Sequence, residues 1–415
     1  MSKTIPEPTR EIPVVSEVDV VIVGGGPAGI AAAVASARAG ASTILIEQFG
    51  YLGGTATASL MANINGFRNQ VEPDFTQTVR GVAQEIVLEL HKLGGLGKSP
   101  YAQKSYNIEE GELDYSYAID TEMFKYVTMK MCVDADVELM LHSYFSMPVM
   151  ENGRVTGAII ENKSGRQAVL AKVTVDASGD GDVAARASCD FWQTHHDENK
   201  RLDDGLMYRI QFGKSRPKPP FACDFGGDSV VWGPRGIVCD GANAAELSRA
   251  EVDVRLRVYQ DFAEKQKAHP ELADAKVMET PPLLGVRQTR FIEGEYQVNE
   301  SDALEGKRFD DVIAISSCPI IHYYGYRRYL EHEGYDIPYR CLVPRNVDGL
   351  LVAGRCISAD QQAYESHRAM VPIMAIGHGA GVAAALSAQQ GCEPRAVDVK
   401  TVQAKLIEQG AELRR

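Results

Sequence analysis

The sequence predicts an α/β fold built around a parallel sheet, and three observations near the N-terminus support this prediction. Residues 19–23, DVVIV, form a short apolar run of the kind found in a parallel strand buried on both faces. The alanine-rich segment 28–39 favours a helix that ends at Gly40. Residues 43–46, TILI, are a second apolar run. Strand, helix and strand in this order are typical of a parallel α/β sheet.

The turn between the first strand and the helix has the spacing G-x-G-x-x-G. Gly24 allows the tight turn, Gly26 lets backbone amides approach a pyrophosphate, and Gly29 permits close packing of helix on strand. The helix N-terminus adds amides and a partial positive charge. Glu47, at the end of the second strand, is placed to accept hydrogen bonds from a ribose. The unit predicts a Rossmann-type dinucleotide site; the alternative is a glycine-rich turn without a ligand.

The segment after Glu47 favours FAD over NAD. Residues 49–58 read FGYLGGTATA. In flavoproteins that resemble glutathione reductase, a glycine pair at this point brings the chain against the pyrophosphate and the flavin, and small residues suit that approach. Gly53, Gly54 and Thr55 are therefore candidate cofactor-binding residues. The alternative is a flexible surface loop.

Two later segments extend the flavoprotein pattern. Residues 173–182, VTVDASGDGD, resemble the strand at which FAD-binding domains lead out to a second domain. Residues 348–370 contain the apolar strand LLVAG, and residues 375–390 form a small-residue helix. In such folds this helix directs its N-terminus at the pyrimidine edge of the flavin, where its positive end stabilises the anionic reduced form. These segments supply the candidates Ser178, Gly179, Asp180, Gly354, Arg355, His378 and Gly379.

Together the motifs resemble the FAD-dependent oxidoreductase family that carries a GVRxxR signature, within the glutathione-reductase-like FAD-binding superfamily. The signature lies in LLGVRQTRFIEGEYQV, residues 284–298, and the likeness covers residues 17–390. The resemblance implies a Rossmann-type FAD-binding domain with an inserted α+β substrate domain. One position departs from the family pattern. The last helix usually begins with a glutamine near the flavin, whereas here His378 follows Gly377.

The resemblance implies a discontinuous FAD-binding domain. We expect its first part at 15–190, an inserted substrate or cap domain at 191–337, and its returning part at 338–415. Residues 153–175 read as strands joined by turns at Gly153 and Gly165, and residues 246–268 as an amphipathic helix with a capping box at Ser248 and Glu251. No second G-x-G-x-x-G is followed by a helix, so the sequence does not predict a separate NAD(P)H domain.

Composition narrows the function classes. The 415 residues carry a net charge of −13, which argues against a nucleic-acid-binding surface. None of the eight cysteines forms a CxxC pair, so the sequence predicts neither a zinc ribbon nor a disulfide relay, and it favours a reducing, cytoplasmic location. We expect no signal peptide and no transmembrane segment, because the apolar stretches are short. His195 and His196 lack a third spaced ligand, so no metal site is predicted.

Three residues are candidates for the chemistry. Arg287 and Arg290, in the signature, offer planar forks that suit a carboxylate; the alternative is a structural ion pair between domains. His322 has the residue type for moving a proton near neutral pH; the alternative is a packed, hydrogen-bonded histidine. The segment Ser366, His367 and Arg368 is a weaker candidate.

The sequence thus predicts an FAD-dependent oxidoreductase, of dehydrogenase or oxidase type. It would transfer a hydride between the flavin and a small, acidic organic substrate, with an external electron acceptor or oxygen, and it could form a homo-oligomer. Two alternatives remain open. One is an FAD-dependent monooxygenase, although the W-x-W-x-I-P halogenase signature is absent. The other is a non-catalytic FAD-binding redox module.

Overall fold

The computed structural model describes residues 4–73, 75–104, 106–194, 197, 201–213, 222–321 and 327–414. Their β-strands are β1 Val14–Val23, β2 Thr43–Ile46, β3 Asn63–Asn65, β4 Leu96–Gly97, β5 Ser116–Ile119, β6 Glu138–Met140, β7 Tyr144–Glu151, β8 Arg154–Asn162, β9 Gly165–Asp176, β10 Phe191–Gln193, β11 Asp204–Gln211, β12 Ala222–Asp224, β13 Asp228–Ile237, β14 Lys276–Glu279, β15 Arg290–Ile292, β16 Val312–Ser316, β17 Ile320–Ile321, β18 Arg327–Arg328, β19 Tyr335–Pro338 and β20 Leu350–Val352. Their α-helices are α1 Pro27–Arg38, α2 Thr55–Ala58, α3 Val82–Lys92, α4 Thr121–Asp134, α5 Asp182–Arg186, α6 Ala244–Ala268, α7 Glu300–Glu305, α8 Gln361–His367, α9 Met370–Gln390 and α10 Val399–Glu408.

A seven-stranded sheet forms the centre of the molecule. Its order is β6–β2–β1–β9–β8–β7, and β20 pairs in parallel with the end of β9. The strands β6, β2, β1 and β9 are parallel, so the predicted α/β class with a parallel sheet is confirmed. In the register, Val23 lies opposite both Ile46 and Asp176, and Asp176 lies opposite Val352. Four strands therefore end at one edge, where open α/β sheets bind their ligands.

Helices α1 and α9 are in direct backbone contact. A Cβ added at Gly377 would lie 2.1 Å from the Ala28 carbonyl oxygen, and one added at Gly381 would lie 2.1 Å from that of Ala32. The two backbones therefore touch along one full turn, and no larger residue fits at either glycine. This contact fixes α9 against the helix that follows the glycine-rich turn.

A second, four-stranded sheet has the order β12–β13–β11–β14, and α6 packs on it. The helix begins earlier than predicted, because the Asn243 side chain caps it by accepting hydrogen bonds from the amides of Ala245 and Glu246. The expected capping box is therefore wrong. Ser248 lies inside the helix and donates to the Ala244 carbonyl, and Glu251 accepts from the Leu284 amide at 2.5 Å.

The apolar cores divide the chain differently from the predicted boundaries. One core draws its buried residues from Leu206 to Leu284 and joins the second sheet to α6. Phe291, Val298 and Val312, which also lie in the predicted insertion, are buried in the main core instead. The domain boundaries stay a prediction, but the part of the insertion with its own core is shorter than 191–337.

Helix α9 is the one helix in the described ranges that is long and apolar enough to cross a membrane. It has 21 residues because it begins at Met370, whereas we expected only short apolar stretches. In this structure, 89% of its most apolar stretch is buried inside the protein. Core packing therefore accounts for its composition.

Candidate active site

The glycine-rich turn lies at the edge where the parallel strands end. Gly24 has a φ of 105°, and a Cβ there would lie 2.5 Å from the Ala177 carbonyl oxygen. A Cβ at Gly29 would lie 1.8 Å from the Gly24 carbonyl oxygen, so the helix packs directly on the turn. Gly26 faces a cavity, and α1 begins there without a side-chain cap. The first amides of α1 therefore remain available to an anion.

The cavity measures about 800 Å³ and runs along this edge of the sheet. The second glycine pair helps to shape it. The Gly53 amide donates to the Gly25 carbonyl at 2.8 Å, and a Cβ at Gly54 would lie 2.8 Å from the Gly26 Cα. Gly54 and Thr55 line the cavity, whereas Gly53 lies behind the wall and holds the two glycine loops together.

Glu47 directly follows β2 and lines the same cavity. The side chain is buried, with Oε2 accepting from the Gly25 amide at 2.7 Å and Oε1 accepting from the Phe49 amide at 2.9 Å. Burial raises the pKa of Glu47, and these amide hydrogen bonds oppose the rise. The carboxylate therefore fixes the glycine loop as well as facing the position expected for a ribose.

The loop after β9 forms the opposite wall. Buried Asp176 organises it, because Oδ1 accepts from the amide and hydroxyl of Ser178 and Oδ2 accepts from the Ala184 amide. Burial raises the pKa of Asp176 to about 6. Arg355 crosses this loop, with Nη2 2.5 Å from Asp180 and Nε 2.8 Å from the Gly179 carbonyl. Five predicted cofactor residues line the cavity here: Ser178, Gly179, Asp180, Gly354 and Arg355.

The N-terminus of α9 also opens onto the cavity, but not at the predicted residues. The helix begins at Met370, has no side-chain cap, and places Ala369 and Met370 on the wall. His378 lies in the third turn, buried, 2.9 Å from the Gln409 side chain through Nε2. Gly379 packs against Ile313. The helix therefore begins several residues closer to the N-terminus than predicted, and neither His378 nor Gly379 lies on the cavity wall.

These features fit a bound FAD. The cavity is large, two uncapped helix N-termini face it, and glycines occupy positions where a side chain would collide with its wall. In the arrangement that the sequence predicts, Glu47 would hold the adenosine ribose, the start of α1 the pyrophosphate, and the start of α9 the flavin end.

The three candidate catalytic residues have different environments or lie outside the described residues. Arg290 lies on the cavity wall, but its Nη1 is 3.0 Å from Asp182 and 2.9 Å from the Asp180 carbonyl, so its guanidinium holds the loop after β9. Arg287 also lines the cavity, and its amide donates to Asp204 at 2.7 Å. His322 lies outside the described residues.

Other lining residues were missed or ranked low by the sequence analysis. Arg327 and Arg368 line the cavity, as do Ser366 and buried Glu365. Arginine and glutamate in the segments YYGYRR and YESHRAM were the available signal, but nothing in their spacing showed that they meet. His367 points elsewhere: it is fully buried, its Nδ1 is 3.4 Å from the Tyr335 hydroxyl, and burial lowers its pKa to about 3.

Comparison with known proteins identifies the family. The model of the family described as FAD dependent oxidoreductase matches residues 19–213 and 222–406. The chain belongs to the FAD-dependent oxidoreductase family. It is therefore an enzyme, and its cofactor is FAD.

The relatives of this FAD-dependent oxidoreductase are remote. A digeranylgeranylglycerophospholipid reductase from Methanoculleus marisnigri is 26% identical over 174 residues, 41% of each chain. A second such reductase, from Methanopyrus kandleri, is 25% identical over 39% of this chain and 38% of its own. The chain thus spans about two fifths of the length of these curated relatives. A geranylgeranyl bacteriochlorophyll reductase-like structure from Thermoplasma acidophilum has a TM-score of 0.51 at 14% identity, over 96% of this chain and 84% of its own. This likeness concerns the fold alone.

Proposed function

We propose that this oxidoreductase transfers a hydride between FAD and a small organic acid. One observation carries the proposal: Arg327 and Arg368 line the same cavity, and no carboxylate in the described part of the chain lies within 4 Å of either guanidinium. Arg368 is half-buried, and a half-buried arginine without such a partner is costly unless a ligand supplies the anion. Arg327 is exposed, so water solvates its charge until a ligand binds.

The surroundings of the two arginines support an anionic ligand. Arg368 has a buried Nε with no hydrogen-bond partner among the described residues, and its guanidinium lies 6.0 Å from the ring centre of Tyr364. Arg327 lies 4.7 Å over the ring of Tyr101. The aromatic rings orient both guanidinium planes without neutralising their charge. A substrate carboxylate accepts two parallel hydrogen bonds from such a plane.

Glu365 is the described residue best placed to handle a proton. Its side chain is 1% exposed, lies on the cavity wall, and accepts a hydrogen bond from Gln361 Nε2 at 3.1 Å. Gln361 in turn donates to Gln288 at 3.0 Å, so a buried chain of amides holds the carboxylate. Its role in proton transfer at the substrate is part of the proposal, and so is that of His322.

The bound flavin supplies the hydride chemistry, and the protein supplies position and seclusion. The arginines would hold the acid group so that the reacting carbon has one orientation, which lowers the entropic part of the barrier. The buried Tyr364 and Met370 line the wall near the start of α9 and exclude water from that end.

Anaerobic mixing of the purified FAD enzyme with a panel of small carboxylic acids tests the proposal. We expect at least one acid to bleach the flavin absorbance, and the corresponding alcohol without the acid group to react far more slowly. The variant Arg368→Lys keeps the charge but loses the planar fork, so it should slow bleaching while FAD content stays unchanged. Arg328→Gln is the matched control, because Arg328 is exposed and pairs with Glu300 at 3.1 Å.

Two outcomes would redirect the assignment. Oxygen uptake driven by NADPH, coupled to oxygenation of an added substrate, would support the monooxygenase alternative. FAD binding with neither reaction for any acid would support the non-catalytic module. The remote relatives are named as reductases, which favours testing the reverse direction as well, in which reduced FAD gives a hydride to the substrate. The same experiment should therefore include mixing chemically reduced enzyme with unsaturated acids and measuring re-oxidation of the flavin.

A further inference from the structure

A wall of apolar side chains borders the cavity beside the second sheet. Five large apolar side chains there are only partly covered by the rest of the protein and line the cavity: Met61, Trp232, Leu247, Leu283 and Val286. Leu206, Met207 and Leu284 complete the wall and are buried. Apolar side chains grouped around one cavity mark a surface that an apolar ligand stabilises.

Two ring contacts connect this wall to Arg327. The guanidinium of Arg327 lies over Tyr101, and the Tyr101 ring meets Trp232 edge to face, with ring centres 6.3 Å apart. Trp232 is the cross-strand neighbour of Met207. Gly205 forms a β-bridge with Gly285, and this bridge brings their chain neighbours Leu206 and Leu284 into the same wall. A ligand anchored at Arg327 therefore has apolar side chains to follow away from its charge.

Two charged side chains also line this part of the cavity: Glu251, and the exposed Arg235, which lies opposite Gly205. Glu251 lines the cavity, but it accepts a hydrogen bond from the Leu284 amide and pairs with Arg255 at 3.0 Å. The charge of Glu251 is therefore neutralised by Arg255, and its carboxylate stabilises the position of the loop at Leu284. A ligand with a cationic tail gains nothing here, whereas an apolar chain does.

We propose that the substrate is an amphipathic acid, with its carboxylate at Arg327 and an apolar chain along the wall from Trp232 to Leu283. This inference rests on the proposed function for the position of the acid group. The two methionines suit a flexible chain, because an unbranched thioether side chain adapts to the shape of its neighbour.

Calorimetric titration of the FAD enzyme with butanoate, hexanoate, octanoate and decanoate tests the inference. Each buried methylene contributes about 0.8 kcal/mol, so the dissociation constant should fall about fourfold per methylene until the wall is filled. Trp232→Ala should flatten this dependence, with a larger loss of affinity for decanoate than for butanoate. Leu283→Ala, on the loop opposite, is the second variant in case Trp232→Ala does not fold. The control is Leu256→Ala, because Leu256 is 72% exposed on α6 and remote from the cavity wall.

The possible outcomes separate the inference from the proposed function. Equal affinity for all four acids would overturn the apolar wall and leave the acid site standing. Equal affinity for octanoate and octanol, with the expected chain-length dependence, would support the wall and overturn the acid site at Arg327. The expected chain-length dependence, together with loss of affinity for all four acids in Arg327→Gln but not in Arg328→Gln, would support both.

Discussion

Replacing Glu47 by alanine should weaken FAD binding and loosen the glycine loop together. The carboxylate accepts from the Gly25 amide at 2.7 Å and from the Phe49 amide at 2.9 Å, and both bonds lie in a largely buried setting. A hydrogen bond to a charged group contributes about 1.5–3 kcal/mol. Loss of the ribose contact should therefore raise the dissociation constant of FAD by about one to two decades.

The same substitution orphans two backbone amides, so apoprotein stability should also fall, by roughly 2–4 kcal/mol. This loss of stability could be predicted only from the structure, because the sequence does not show that the Gly25 and Phe49 amides donate to this carboxylate. Glu47→Gln separates the two effects, because its carboxamide keeps one acceptor oxygen and turns an NH₂ group toward the other amide. Glu138→Ala, on the neighbouring edge strand and exposed, is the control.

Fluorescence titration of the apoprotein with FAD and urea unfolding of the apoprotein measure the two quantities. An unchanged dissociation constant for FAD in Glu47→Ala would falsify the ribose role. If apoprotein stability falls at the same time, Glu47 acts only on the loop. If neither quantity changes, the hydrogen bonds to Gly25 and Phe49 do not carry the energy assigned here.

Three further predictions concern other contacts. Burial lowers the pKa of His378 to about 4, so between pH 6.5 and 4 the unfolded chain binds a proton that the folded chain does not. The free energy of unfolding should therefore fall as the pH falls through this window, by about 2 kcal/mol from pH 7 to 5. His378→Gln should remove that loss, as measured by urea unfolding. Gly377→Ala should separate α1 from α9 and lower both the melting temperature and FAD content, because the new Cβ would lie 2.1 Å from the Ala28 carbonyl oxygen. Arg290→Gln should lower the melting temperature by a few degrees through loss of the Asp182 ion pair, with little effect on carboxylate binding measured by calorimetry.

Each of these has a contradicting result. An unchanged slope of stability against pH in His378→Gln would mean that another group causes the acid lability. Wild-type melting and FAD content in Gly377→Ala would show that the helices can separate without cost. Weaker carboxylate binding in Arg290→Gln, with an unchanged melting temperature, would return this residue to the substrate site.

The sequence determined the local units of the fold. Strand β2 has the predicted bounds, and β1, α1, β8 and β9 lie where apolar periodicity and glycine placed them. These elements depend on neighbours within a few residues, so pattern and propensity suffice to find them. The spacing Gly24, Gly26 and Gly29 also predicted the dinucleotide turn, because each glycine answers a steric demand within that turn.

Tertiary structure decided where the side chains point and which of them meet. His378 is turned toward Gln409, and Arg290 is paired with Asp182, because contacts more than 30 residues away in sequence decide both orientations. Arg327 and Arg368 line one cavity only because α8 packs on β17, the strand that pairs with β18. A sequence pattern records which side chains are available, whereas long-range packing determines which charges are paired and which remain for a ligand.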